Sequence, residues 1–98
     1  MSSPAKPVGP YTPIVRAGDW LVVSGQVGLA DGKMVGGGVT GELRQALANV
    51  EAQLATEGAG LADVVKTTVF LRHMSDYATM NETYIAAFGD HRPARSAI

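Results

Sequence analysis

The spacing of hydrophobic and polar residues in the first third of the chain predicts β-hairpins. Strands are predicted over residues 11–16 and 20–26, where apolar and β-branched residues dominate. Asp31-Gly32 is the strongest turn signal, because a two-residue type I′ turn needs positive φ at both central positions. It should join a strand around residues 26–30 to one around residues 33–35. The N-terminal half is therefore expected to be antiparallel.

Two later segments carry apolar residues at helical spacing. The first should begin near Thr40, which can cap a helix, and end at Gly58, because glycine tolerates the left-handed conformation that follows a helix. The second should begin at Ser75 or Asp76 and stop at Arg92-Pro93. The apolar stripes are Leu43, Leu47, Val50 and Leu54 in the first helix, and Tyr77, Met80, Tyr84 and Phe88 in the second.

The remaining apolar runs predict two strands that alternate with these helices. Residues 64–71 are rich in β-branched side chains, and residues 94–98 follow the second helix. Strands connected through helices favour parallel crossover pairing. The predicted class is α+β, with a mixed β-sheet and both helices on one face.

Apolar side chains are expected on both faces of this sheet. Leu21-Val22-Val23 and Val69-Phe70-Leu71 are consecutive apolar residues, and successive residues of a strand point to opposite faces. The two helices can cover one face only. Since large exposed apolar patches are rare on monomers, we expect a homo-oligomer packed through its sheets. The alternative is that these residues lie at strand ends beneath loops.

Composition narrows the possible functions. The 98 residues suffice for one domain, and the absence of cysteine excludes a disulfide, a thiolate metal site and a thiol nucleophile. The net charge of −1, with scattered Lys and Arg, provides no electrostatic footprint for nucleic acid or an anionic membrane. No apolar run reaches the roughly 18 residues of a membrane span. A soluble cytoplasmic protein is expected.

Arg95 is the first candidate for chemistry. It follows Pro93, which forces extended backbone, so its guanidinium should project from the first residues of a strand. In that position it can hold a planar anion with two parallel hydrogen bonds. A solvated surface arginine is the alternative, since arginines are mostly exposed.

Five segments, each weak alone, stand in the order and spacing of one known family. They are Gly9-Pro10-Tyr11, Val23-Ser24-Gly25-Gln26, Gly58-Ala59-Gly60-Leu61 followed by Val64–Leu71, Asn81-Glu82-Thr83-Tyr84, and Pro93-Ala94-Arg95-Ser96. Together they cover nearly the whole chain. The chain resembles the RidA/YjgF (Rid) family of reactive intermediate (enamine/imine) deaminases.

The resemblance implies a chorismate-mutase-like α+β fold that assembles as a homotrimer around a central sheet barrel, with active sites in clefts between subunits. It also implies cofactor-free, metal-free hydrolysis of 2-enamine and 2-imino acids, such as 2-aminoacrylate, to 2-keto acids and ammonia. The alternative is a non-catalytic module that binds small carboxylic or 2-keto acids in the same cleft. The ribonuclease activity associated with the family ranks below both, because the chain lacks a basic stripe.

The resemblance also implies site residues. Arg95 is expected to act as the catalytic clamp on the substrate carboxylate, and the backbone of Ala97 to contact the same group. The other expected site residues have structural alternatives: packing at a strand start for Tyr11, a glycine bulge for Ser24-Gly25, and a solvated helix position for Asn81. The histidines, His73 and His91, are expected at the surface. The implied substrate-binding set is Tyr11, Ser24, Gly25, Asn81, Arg95 and Ala97.

The chain departs from the family at its C-terminus. Relatives continue beyond the strand that holds Arg95 into another strand, whose glutamate is thought to place or activate water, whereas this sequence stops at Ile98. We therefore expect a single domain over residues 1–98 without the family's C-terminal strand. A shortened sequence, a cleaved protein and an inactive ligand-binding remnant remain the three explanations.

Overall fold

Six short strands and two helices make up the part of the chain that the computed structural model describes, residues 6–98. Single 3₁₀ turns at Leu61–Asp63 and Met74–Asp76 precede β5 and α2. The predicted α+β class, with hairpins first and then helix, strand, helix, strand, is confirmed. The elements are β1 (Ile14–Ala17), β2 (Trp20–Val23), β3 (Leu29–Ala30), β4 (Lys33–Met34), α1 (Gly38–Ala55), β5 (Lys66–Val69), α2 (Tyr77–Phe88) and β6 (Ala94–Ala97).

The strands pair in both directions, as predicted. β1 with β2 and β3 with β4 are antiparallel, while β5 and β6 are parallel, with Thr67 opposite Arg95 and Val69 opposite Ala97. Within residues 6–98 the pairing forms three two-stranded ladders rather than one continuous sheet. Strands of four residues or fewer offer few backbone groups to a third strand.

The hairpin between β3 and β4 has the predicted turn. Asp31 has φ 53° and Gly32 has φ 78°, so both central residues lie in the left-handed region that a type I′ turn requires. The first hairpin is shorter than predicted. β1 begins at Ile14, not at Tyr11, and it follows Pro13, which has no N–H to contribute to a ladder.

The predicted start of the first helix near Thr40 and the predicted end of the second helix at Arg92-Pro93 are both wrong. α1 begins at Gly38 after Gly37, whose φ of 95° turns the chain into the helix, and Thr40 lies within the first turn. α2 ends at Phe88, because Gly89 adopts φ 64° and its N–H bonds to the Ile85 carbonyl at 2.9 Å. In each case a glycine with positive φ acts before the predicted residue is reached.

Gly58 has the predicted role at the end of α1. It has φ 72°, and its N–H bonds to the Ala55 carbonyl at 3.1 Å. The next N–H, of Ala59, bonds to the Leu54 carbonyl at 3.0 Å. This pair of hydrogen bonds is the Schellman motif, which satisfies the last carbonyls of the helix.

The core lies between the two helices and one face of the β5–β6 pair. Leu47 from α1 and Met80, Tyr84 and Phe88 from α2 form a buried cluster. Half-buried apolar residues of the strands, including Val69 and Ala97, pack against it. Both helices therefore cover the same face, as predicted.

The first hairpin leaves an apolar face exposed, whereas the outer face of the β5–β6 pair carries the polar residues Lys66, Thr68 and Ser96. In the first hairpin, Val15 pairs with Val22 across the strands, and Trp20 on the same face is 62% exposed. Beyond the ends of β5 and β6, Phe70 is 76% and Ile98 63% exposed. A single chain thus leaves uncovered the surface that the sequence predicted, while the oligomer itself stays a prediction.

Candidate functional site

Arg95 is the second residue of β6, and its side chain lies on the face that the helices cover. Exposure alternates along this strand, with Ala94 and Ser96 exposed and Arg95 and Ala97 half-buried. Its partner across the parallel ladder, Thr67, lies on the same face. The alternative of a fully solvated arginine does not describe this position.

Three side chains of α2 surround the Arg95 guanidinium. Nη2 donates a hydrogen bond to the Tyr77 hydroxyl at 2.9 Å, and Nη1 approaches Met80 Sδ at 3.5 Å. Cζ lies 4.9 Å from the ring centroid of Tyr84 and 5.4 Å from that of Tyr77. Aromatic faces attract a cation through their quadrupoles, so both rings stabilise the guanidinium.

These partners of Arg95 are neutral. Residues 6–98 contain one ion pair, the surface contact between Arg16 and Glu57 at 3.9 Å. No carboxylate of these residues pairs with Arg95. A guanidinium also carries more N–H donors than the two contacts use. A half-buried cation with neutral partners and spare donors is a suitable receptor for a planar anion.

Tyr84 forms a fixed wall of this environment. Its hydroxyl hydrogen-bonds Thr67 Oγ1 at 2.7 Å, and its ring packs against Phe88 with centroids 4.6 Å apart. Because the ring is buried and held at both ends, it restricts the space that Arg95 can occupy.

Ala97 presents its backbone toward the free edge of β6. The N–H of Ala94 bonds to the carbonyl of Val65, just before β5, at 3.0 Å, and the N–H of Ile98 bonds to the Val69 carbonyl of β5 at 2.9 Å. In a parallel ladder alternate residues bond to the same neighbour, so the N–H and C=O of Ala97 point to the opposite side. That edge has no paired strand in the described part of the chain. These backbone groups are therefore available to a ligand.

Asn81 follows Met80 on α2 and contains an unsatisfied polar atom. Its Oδ1 is buried without a hydrogen-bond partner among residues 6–98. Buried acceptors are nearly always paired in folded proteins, so an unpaired one needs an explanation. A ligand or a neighbouring chain that donates a hydrogen bond would supply the partner.

Tyr11, Ser24 and Gly25 form a second group, beside the first hairpin. The Ser24 hydroxyl donates to the Thr12 carbonyl at 2.6 Å, and its N–H bonds to Pro13 at 2.9 Å, which ties Ser24 to the segment after Tyr11. Tyr11 is exposed, and its hydroxyl accepts from Val8 N–H at 3.4 Å. Among residues 6–98, nothing lies within 4 Å of a Cβ added at Gly25.

The predicted site residues thus fall into two groups. Arg95 and Ala97 share β6, and Asn81 belongs to α2, the helix whose Tyr77, Met80 and Tyr84 contact Arg95. No hydrogen bond, ion pair or ring contact among residues 6–98 joins this group to Tyr11, Ser24 or Gly25. Within the described residues of one chain, these contacts therefore leave the predicted site residues in two groups.

Sequence reasoning missed the three residues that surround Arg95. Tyr77 and Met80 were predicted only as members of the core stripe, and Tyr84 as a member of that stripe and of the Asn81–Tyr84 motif, with no role in the site. Tyr77 differs from the other two in being 40% exposed. Its place at the very start of α2 is the signal that could have separated it from the buried stripe.

The histidines differ from each other. His73 is exposed, as expected. His91 is half-buried, contrary to expectation, because its Nε2 hydrogen-bonds the Val64 carbonyl at 2.6 Å and its ring lies 6.2 Å from that of Phe88. It connects the start of β6 to the segment before β5 and so has a structural role.

Other features of the described chain lie apart from this site. Two shallow depressions along α1 share the lining residues Arg44 and Ala48, and neither includes a predicted site residue. Within residues 6–98, no three His, Cys, Asp or Glu side chains come together in a way that could hold a metal ion. Neither of the helices described there is long and apolar enough to cross a membrane.

The fold is α+β, and the Arg95 environment is a candidate site for a small anion. The chain belongs to the family described as Endoribonuclease L-PSP, whose sequence profile matches residues 1–98. This is the RidA/YjgF family, and the resemblance found in the sequence motifs is confirmed.

Two curated relatives and one solved structure illustrate the similarity. The chain is 44% identical over 92 residues to a mouse (Mus musculus) 2-iminobutanoate/2-iminopropanoate deaminase, covering 92% of this chain and 68% of that protein. It is 42% identical over 95 residues to a RutC family protein of Pyrococcus horikoshii, covering 95% and 75%. The crystal structure of E. coli TdcF with bound serine superimposes with a TM-score of 0.88 at 33% identity, covering 98% and 78%.

Proposed function

We propose that this protein is a cofactor-free deaminase that hydrolyses 2-enamine and 2-imino acids, such as 2-aminoacrylate, to 2-keto acids and ammonia. The observation that carries the proposal is the half-buried Arg95, held by neutral partners with donors to spare. The relatives named as deaminases, at 44% and 40% identity in mouse and human, support the reaction class.

The chemistry needs little from the protein. A 2-imino acid carries a carboxylate next to the electrophilic carbon of a C=N bond. Arg95 would bind the carboxylate with two parallel hydrogen bonds, and the free Ala97 N–H would add a third. Water then attacks the carbon of the protonated iminium and loses a proton, and a C–O bond forms. The nitrogen of the resulting carbinolamine takes up a proton and the hydroxyl loses one, so that the C–N bond breaks, ammonia leaves and the C=O bond of the keto acid forms. Fixed geometry supplies most of the acceleration.

We propose further that the complete site forms between subunits of a homotrimer. Two observations support this assembly: apolar side chains such as Trp20 and Phe70 are exposed, and no hydrogen bond among residues 6–98 joins the predicted site residues near Arg95 to those near Ser24. A neighbouring subunit would bring the group with Tyr11 and Ser24 to the group with Arg95. Sedimentation of a stable monomer at micromolar concentration would contradict the assembly. The cytoplasmic location stays a prediction.

The deaminase proposal is tested through Arg95. A pyridoxal-phosphate dehydratase generates 2-aminoacrylate, and its lifetime is followed with and without the protein. The parent should shorten that lifetime, and Arg95→Ala should abolish the effect. Arg95→Lys should lose most of it, since an ammonium lacks the planar pair of donors. Arg44→Ala, at an exposed arginine of α1, is the matched control and should behave as the parent. Equal decay with and without parent protein would refute the proposal.

A non-catalytic binding module is the second candidate. The related E. coli TdcF was crystallised with bound serine, which favours recognition of a small amino acid or carboxylic acid by this fold. Binding of pyruvate that depends on Arg95, together with no effect on 2-aminoacrylate, would select this alternative. The ribonuclease in the family description is not proposed, because the chain has a net charge of −1.

A further inference from the structure

Tyr77 is unusual among the residues of the α2 stripe. It begins the helix and is 40% exposed, whereas Met80, Tyr84 and Phe88 are buried. Its hydroxyl accepts a hydrogen bond from Arg95 Nη2 at 2.9 Å, and its ring lies 5.4 Å from Arg95 Cζ. An exposed tyrosine that directs both its ring and its hydroxyl to one arginine has a role beyond filling the core.

The other contacts of Arg95 leave the direction of its N–H groups undetermined. The Tyr84 ring attracts the cation but sets no direction in the guanidinium plane. Met80 Sδ, at 3.5 Å, is a weak acceptor. The Tyr77 hydroxyl is the one strong acceptor that Arg95 meets among residues 6–98. It can therefore determine which N–H groups face the helix and which remain free.

The neutrality of Tyr77 matters as much as its geometry. A carboxylate at this position would hold the guanidinium equally well but would neutralise its charge and compete with an incoming anion. A hydroxyl orients the group and leaves its charge available. The arrangement suits an arginine that must stay receptive to a carboxylate.

We propose that Tyr77 is a positioning residue for the carboxylate clamp: its hydroxyl fixes the orientation of the Arg95 guanidinium so that the remaining N–H groups meet the substrate carboxylate in parallel. The inference rests on the proposed function of Arg95. Without this hydrogen bond the guanidinium must be ordered during binding, and the binding affinity falls by that cost.

Tyr77→Phe is the direct test, because it deletes the hydroxyl and keeps the ring. The Kd for 2-oxobutanoate, measured by calorimetry, should rise by about two- to tenfold, which is the cost of ordering one side chain during binding. KM for imine hydrolysis should rise by a similar factor, with kcat within about twofold of the parent, because binding to substrate and transition state is lost equally. Thr79→Val removes a hydroxyl from an exposed site on the same helix and should match the parent.

A second measurement does not depend on turnover. Rotation of the Arg95 guanidinium about its Nε–Cζ bond, followed by ¹⁵N NMR in ligand-free protein, should be slow in the parent and in Thr79→Val, and faster in Tyr77→Phe.

Unchanged rotation in Tyr77→Phe would overturn the positioning role. So would an unchanged Kd in a protein that loses binding on Arg95→Ala, an outcome that leaves the proposed function intact. A fall in kcat at constant KM, together with a lower Tm, would make Tyr77 structural and also overturn it. If the parent neither binds 2-oxobutanoate nor hydrolyses imines, the proposed function fails, and the rotation measurement still tests the orientation.

Discussion

Asn49, near the middle of α1, forms hydrogen bonds that connect the first half of the chain to the helix. Its Nδ2 donates to the Val27 carbonyl at 2.9 Å and to the Leu29 carbonyl at 3.0 Å, while its Oδ1 accepts from Gln45 Nε2 at 2.9 Å. The two carbonyls belong to β3 and the segment before it. That segment follows directly on Ser24-Gly25, so the same bonds help to hold one of the two groups of predicted site residues.

Replacing Asn49 with leucine should remove both bonds to the β3 segment while keeping the volume of the side chain. Each hydrogen bond contributes about 1 kcal/mol net, and the Leu29 carbonyl, bonded in a half-buried position, would lose its partner. The free energy of unfolding should therefore fall by about 2 kcal/mol. For a domain of this size that corresponds to a Tm lower by roughly 10 °C.

Asn49→Asp sharpens the test. It preserves the shape of the side chain but replaces the amino group that donates both bonds with an oxygen that faces the two carbonyl oxygens. It should therefore destabilise the protein at least as much as Asn49→Leu. Gln45→Ala, which removes only the donor to Oδ1, is the matched control and should cost less than about 1 kcal/mol. Thermal unfolding by circular dichroism is the assay, with the protomer concentration held constant because assembly shifts Tm. A Tm for Asn49→Leu equal to that of Gln45→Ala would refute the reasoning.

Two further predictions concern packing and assembly. A Cβ at Gly41 would clash with the Gly36 carbonyl oxygen, so Gly41→Ala should destabilise by about 2 kcal/mol or more. A Cβ at Gly36 would meet nothing within 4 Å among residues 6–98, so Gly36→Ala should change Tm little. Phe70, 76% exposed on the face away from the helices, should lie in the proposed subunit interface. Phe70→Glu should then sediment as a monomer with its helical circular dichroism retained, and a variant that stays a trimer would exclude this face from the interface.

The parts of the fold that depend on local chemistry could be predicted from the sequence. Asp31-Gly32 specifies its turn because both residues tolerate positive φ, and the apolar spacing of α1 and α2 specifies their buried faces. The helix ends were harder to place, since several residues in succession could act there. Gly37 fixes the start of α1 and Gly89 the end of α2, because they adopt φ values of 95° and 64° before Thr40 or Pro93 is reached along the chain.

The candidate site was predictable only in part, because core residues and residues that contact Arg95 share the same helical spacing along α2. Arg95 and its companions were found from motifs, whereas Tyr77 and Tyr84 share the spacing of core residues, and that spacing does not distinguish a site residue from a core residue. Burial distinguishes them: Tyr84 is buried and bonded to Thr67, while Tyr77 is half exposed and bonded to Arg95. A tyrosine at the first position of a helix stripe lies at the rim of the core, where its ring can pack and its hydroxyl can still reach a strand residue. That position, rather than residue type, made Tyr77 available to orient the guanidinium.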